Sequence, residues 1–197
     1  MAHDKNAAKS QPEPNSPRDE NIVYSDWVTD AGSLIETSIN TKIWPESLLA
    51  SFQQTAPLIL DDILSEFESA EACVSLYLCD DSKIQQLNNE YRRMDKPTNV
   101  LSFPAHNVAE QKIDWGTRAL LGDIVIAAET VKREANDMQM PVIDHLLHLF
   151  VHGMLHLFGY DHVDDDLAVA MESLEVKFLA KIGVPNPYRS VHLGASS

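Results

Sequence analysis

The segment that most constrains this chain is residues 141–159, PVIDHLLHLFVHGMLHLFG. Pro141 can open a helix, because the first helical N–H has no partner in any case. Gly159 can close it, since glycine readily takes the left-handed conformation at which helices stop. The aliphatic residues between them read mainly as core. Set among them are His145, His148, His152 and His156, and His162 follows just past the glycine.

Residues four apart on a helix stand one above the other, so His148, His152 and His156 form a row. Two imidazoles at that spacing can share one zinc ion, with each nitrogen about 2.0–2.1 Å from it. The chain turns at Gly159, and His162 can fold back toward the row. At about 1.5 Å per residue, His156 lies about 4–5 Å along the axis from that turn, His152 one turn further and His148 about 16 Å away. The expected ligands are therefore His152, His156 and His162. His145 and His148 are expected to pack or to support the ligands by hydrogen bonds.

Structural zinc sites are usually closed by four protein ligands. Three imidazoles leave one position open. Asp161 is near enough in sequence to close it, but adjacent side chains rarely both point at one ion. A metal-bound water is the stronger reading, and its pKa of around 7 suits hydrolysis at neutral pH. The expected cofactor is one Zn2+ ion or another divalent metal. Zinc peptidases with the HExxH motif place their general base beside the first histidine. Here that position is Gly153, which weakens a zincin-like metallopeptidase reading and leaves the base unassigned.

The rest of the chain reads as a cover for this helix. Strands are expected over residues 33–41, 73–79, 99–103 and 120–126, with Gly122 marking a bulge or a close approach. Helices are expected from Pro45 to about residue 67, from an Asp81 cap to about residue 91, over 127–137, over 141–158, and over 165–182 with Asp164 or Asp165 as cap. The order suggests an α+β fold, an α/β-like sandwich. Its small mixed β-sheet of about four strands is covered by about five helices, with the zinc site at the C-terminal end of a central helix. Residues 1–32 read as a flexible acidic N-terminal tail in which Trp27 could dock weakly, 33–185 as a single hydrolase domain, and 186–197 as a C-terminal tail. Residues 106–117 read as a surface loop. Cys73 and Cys79 share one strand face and read as small buried hydrophobes in a reducing compartment.

Neither a signal peptide nor a membrane span is evident, so a cytoplasmic protein is expected. The net charge of -15 weighs against nucleic acid, whose phosphates are gripped by Lys and Arg. An RNA site would need a local basic surface, for which Arg92, Arg93, Lys96, Lys132 and Arg133 are the candidates. Asp95, Thr98, Asn99 and Ser102 read as turn and strand-edge residues, and Asp123 as one that could orient a ligand.

HGMLHLFGYDH (152–162) resembles the signature of the YbeY family of bacterial metal-dependent endoribonucleases. NNEYRRMDKPTNVLSFP (88–104) and LGDIVIA (121–127) agree with it in order and spacing. The resemblance implies a single-strand-specific endoribonuclease acting in rRNA maturation, at the 3′ end of small-subunit RNA, and in ribosome quality control. It implies zinc on His152, His156 and His162 and a catalytic role for Arg92. Its partners would be rRNA and the ribosome, with ribosomal proteins or an assembly GTPase as docking partners, and neither DNA nor a membrane. The competing class is a non-enzymatic ribosome assembly factor whose zinc is structural.

Overall fold

A computed structural model of the chain describes residues 20–69, 71–105, 119–162 and 164–189. Ten elements follow in order: β1 (Ile22–Val28), β2 (Leu34–Asn40), α1 (Glu46–Glu66), β3 (Ala72–Cys79), α2 (Asp81–Arg92), β4 (Val100–Pro104), β5 (Ala119–Ala127), α3 (Ala128–Asp137), α4 (Val142–Leu157) and α5 (Asp165–Lys181). One mixed sheet runs β1-β2-β3-β5-β4. The β2–β3 and β3–β5 pairs are parallel, and the edge strands β1 and β4 pair antiparallel. The α+β class and the five helices match expectation, while the sheet has five strands rather than about four.

The extra strand is β1, which lies inside the expected N-terminal tail. It pairs with β2 along its whole length, and Gly32, at φ +92°, makes the turn between them. Trp27 is buried, with its ring edge-on to Phe52 at 5.9 Å, and Phe52 in turn meets Phe150 of α4 at 5.6 Å. Residues 22–28 therefore belong to the folded unit. Composition concealed them because Val23, Tyr24, Asp26 and Val28 face outward and Trp27 alone is fully buried. The expected loop at 106–117 lies outside the described residues.

The main core fills one face of the sheet, between the strands and helices α1, α3, α4 and α5. Helix α4 is its centre, with Leu146, Leu149, Phe150, Val151, Met154 and Leu155 buried around most of its circumference. Such a helix needs cover on every side, which the sheet and three helices supply. A smaller cluster on the other face seats Ile84 of α2 against Leu101, Val125 and Ala127. Gly153 faces the sheet: a Cβ there would lie 3.0 Å from the Ile124 side chain and 3.1 Å from Ser102 Oγ. That contact holds the C-terminal half of α4 against β4.

The start of α2 differs from expectation. Asp80, not Asp81, caps it, its carboxylate accepting the Lys83 N–H at 2.7 Å. Asp81 instead accepts from the backbone N–H and the hydroxyl of Thr130 at the start of α3, both at 3.0 Å. Glu129 returns the contact by accepting the Asp81 N–H at 3.0 Å. Each helix thus satisfies an exposed N–H at the start of the other. Asp164 caps α5, accepting the Leu167 N–H at 2.9 Å.

Gly122 proves to mark both a bulge and a close approach. The β3–β5 register slips by one residue beside it, and a Cβ at its φ of +140° would lie 2.2 Å from the Phe103 carbonyl oxygen. Cys73 is half-buried and Cys79 buried, and burial pushes the Cys79 thiol up to about 12.

Candidate metal centre

Helix α4 stops where the glycine requires, with Gly159 at φ +85° and the Tyr160 N–H bonded back to the Leu155 carbonyl at 3.0 Å. The turn brings His162 back over the helix end. Its ring lies nearly parallel to that of His152 at 5.5 Å and edge-on to His156 at 5.2 Å. One ring nitrogen from each of His152, His156 and His162 falls within 4.8 Å of the others. Among the described residues Asp161 does not join that group. Its Oδ1 accepts the His162 N–H at 2.7 Å, within its own turn.

The hydrogen bonds decide which nitrogens face the cluster. His156 Nδ1 meets the Tyr160 carbonyl at 2.9 Å, and a carbonyl can only accept, so the proton sits on Nδ1. His152 Nδ1 meets Glu175 Oε1 at 2.8 Å, and the same reasoning applies to a carboxylate. Both Nε2 atoms are then bare in the neutral rings, and they face each other at 3.0 Å. Two lone pairs so close repel unless a cation lies between them, so the donor set fits a metal ion. Burial, with the charge of His152, lowers the His156 pKa to about 4 against the pull of the Tyr160 carbonyl. The ring is neutral near pH 7, the form that ligates.

His148 does not reach the cluster. Its Nε2 bonds Glu175 Oε2 at 2.7 Å. His145 Nε2 bonds Glu134 Oε2 at 2.8 Å, and Glu134 also accepts the Asn99 amide at 3.0 Å. His148 thus shares its carboxylate with His152, while His145 is buried and bonded to α3. The unforeseen residue is Glu175 on α5, 1% exposed, whose carboxylate also accepts from the Tyr188 hydroxyl. Burial alone would raise its pKa, but the bonds from His148, His152 and Tyr188 outweigh that and bring it to about 2. A signal existed in the sequence: Glu175 stands in a buried stripe with Met171 and Phe178, and a carboxylate on such a stripe requires partners. Tyr188 lies in the expected C-terminal tail, yet it bonds inside the domain.

The histidines open onto a cleft of about 780 Å³. Arg92, Thr98, Asn99, Ser102 and Asp161 also line it. Arg92 is the last residue of α2 and, among the described residues, the one Lys or Arg in this lining. The other expected basic residues lie elsewhere. Arg93 ends α2 at φ 60°. The Lys96 carbonyl holds the Asn88 amide at 2.8 Å. Lys132 Nζ donates to the Ile43 carbonyl at 2.8 Å, and Arg133 donates to Thr130 Oγ1 at 2.8 Å. Asp95 accepts from Gln85 at 2.9 Å, and Asp123 lines a separate hollow of about 770 Å³. Tyr91 and Phe103, with ring centroids 5.0 Å apart, border both cavities.

Residues 38–183 match the family model described as Endoribonuclease YbeY. A protein named Endoribonuclease YbeY from Sinorhizobium medicae is 47% identical over 160 residues, covering 78% of this chain and 94% of the relative. Its counterpart by name from Allorhizobium ampelinum is 44% identical over 164 residues, covering 78% and 93%. A solution structure from Thermotoga maritima aligns over 74% of this chain and 93% of that one, at 21% identity and a TM-score of 0.48. On the family match and the extent of these identities, the chain belongs to the YbeY endoribonuclease family.

Proposed function

We propose that this chain is a zinc-dependent, single-strand-specific endoribonuclease of ribosomal RNA. Its physiological reaction on this reading is maturation of the small-subunit RNA 3′ end, with a part in ribosome quality control, in the cytoplasm. The observation that carries the reading is one cleft in which three imidazoles able to share an ion stand with Arg92, in a chain of this family. His152, His156 and His162 would hold the ion through neutral nitrogens. When bound, it supplies a Lewis acid and a water acidic enough to attack near neutral pH. Arg92 grips the scissile phosphate through two parallel N–H bonds and offsets the charge that develops on its oxygens. Tyr91 and Phe103 offer an aromatic surface next to Arg92, and unpaired bases, unlike those in a duplex, are free to stack on it.

The test is zinc content measured beside cleavage of a single-stranded rRNA fragment, for wild type, His156→Ala and Arg92→Ala. The wild type should hold one zinc per chain and cleave. His156→Ala should lose both properties. Arg92→Ala should keep its zinc and lose about 100- to 1,000-fold in rate, the usual effect of removing one donor to a developing oxyanion. Cleavage by Arg92→Ala at the wild-type rate would remove Arg92 from the mechanism. A wild type without stoichiometric metal would remove the hydrolase reading.

A further inference from the structure

We infer that Glu175 and Tyr188, both outside the histidine motif, are positioning residues of the metal centre. The Tyr188 hydroxyl orients the Glu175 carboxylate, which holds the His152 ring with its bare Nε2 turned toward the ion. This inference rests on the metal reading of His152, His156 and His162.

Both oxygens of the carboxylate are engaged. Oε1 takes His152 Nδ1 at 2.8 Å, while Oε2 takes His148 Nε2 at 2.7 Å and the Tyr188 hydroxyl. A carboxylate held by one donor can swivel about its last bond, whereas three donors on two oxygens fix its plane. His148 stands one turn below His152, and its ring is edge-on to Tyr188 at 5.7 Å. It is too far down the helix to share the ion, but it helps to orient the ligand above it. Tyr188 is set in place by its own backbone N–H, which donates to Asn186 Oδ1 at 2.8 Å. A ligand histidine whose second nitrogen donates to a carboxylate keeps its tautomer and ring orientation and is the more basic donor for it. The relay from Tyr188 through Glu175 to His152 supplies that support, and it starts from the segment after α5.

Zinc affinity, measured by competition with a chromogenic chelator, tests this on the full chain. Far-UV circular dichroism and thermal unfolding of the metal-free protein report the fold. Glu175→Gln should weaken zinc binding by about 10- to 100-fold, the usual effect of losing such a partner. Tyr188→Phe removes only a hydroxyl from an exposed residue and should weaken it in the same direction by a smaller factor, with the metal-free fold unchanged. Nitrogen-15 shifts of the imidazoles should find His152 protonated on Nδ1 in the metal-free wild type and a mixture of tautomers in Glu175→Gln. If both variants bind zinc within twofold of wild type, or if His152 carries its proton on Nε2 in the wild type, the relay is wrong while the metal reading stands. A wild type that takes up no zinc overturns both. Should Glu175→Gln fail to fold, Tyr188→Phe decides the matter alone.

Discussion

Gly122 shows how much one residue carries. Its φ of +140° and the Phe103 carbonyl 2.2 Å from any Cβ leave room for hydrogen alone. Gly122→Ala should cost about 3 kcal/mol, read as a lowered urea midpoint, since neither strand can retreat without breaking its ladder. The shift should also disturb Phe103 and Ser102, which line the cleft. At this scale the clustering of His152, His156 and His162 was the most legible part of the molecule. Their spacing and the helix-ending glycine obey local geometry that no tertiary contact overrides. The place of Arg92 in the cleft lining was suggested through resemblance alone, because a helix-end arginine is an ordinary sight. Glu175 went unread because its partners stand 23 and 27 residues away in sequence, and pattern reading does not span such distances.

Helices α2 and α3 hold one another by their first residues. Removing the Asp80 side chain should cost about 1 kcal/mol, the ordinary loss of a cap. Asp81→Ala should cost about 1–2 kcal/mol, at the upper end of that range, because it strips two acceptors from the start of a neighbouring helix. Equilibrium unfolding in urea separates the two. The exchange escaped the sequence reading because Asp80 and Asp81 are equally good caps by type, and only the packing of α3 decides between them. Glu134 joins three elements, with His145 on α4 and Asn99 before β4 both bonded to its carboxylate. Burial pushes its pKa up, but the bonds from His145 and Asn99 pull it below the ordinary 4.5. A carboxyl whose pKa is lower folded than unfolded stabilises the fold fully above its unfolded value, and that contribution fades as the pH falls through the folded one. Glu134→Gln should therefore show a shallower loss of stability below pH 4.5 than wild type, followed by thermal unfolding across a pH series.

Over the whole molecule, the sheet is closed at one edge by a strand that composition hid. Trp27→Ala should cost about 3–5 kcal/mol, as for other buried aromatics, and calorimetry would show it as a fall in Tm. A weakly docked tail would show no such loss. The net charge of -15 stands beside a cleft in which Arg92 is the one Lys or Arg among the described lining residues, so on the proposed reading recognition there centres on few phosphates. The three clustered histidines occupy residues 152–162, so few residues have to be ordered to bring them together. Glu175 follows thirteen residues later, and Tyr188 thirteen after that. On the reading proposed above, synthesis from the N-terminus exposes these histidines before Glu175 and Tyr188. Any metal bound by the unfolded chain through these close-set histidines would subtract from what metal adds to the stability of the native one. On the proposed reading, the segment carrying Glu175 and Tyr188 adds to a site whose ligands are local in sequence.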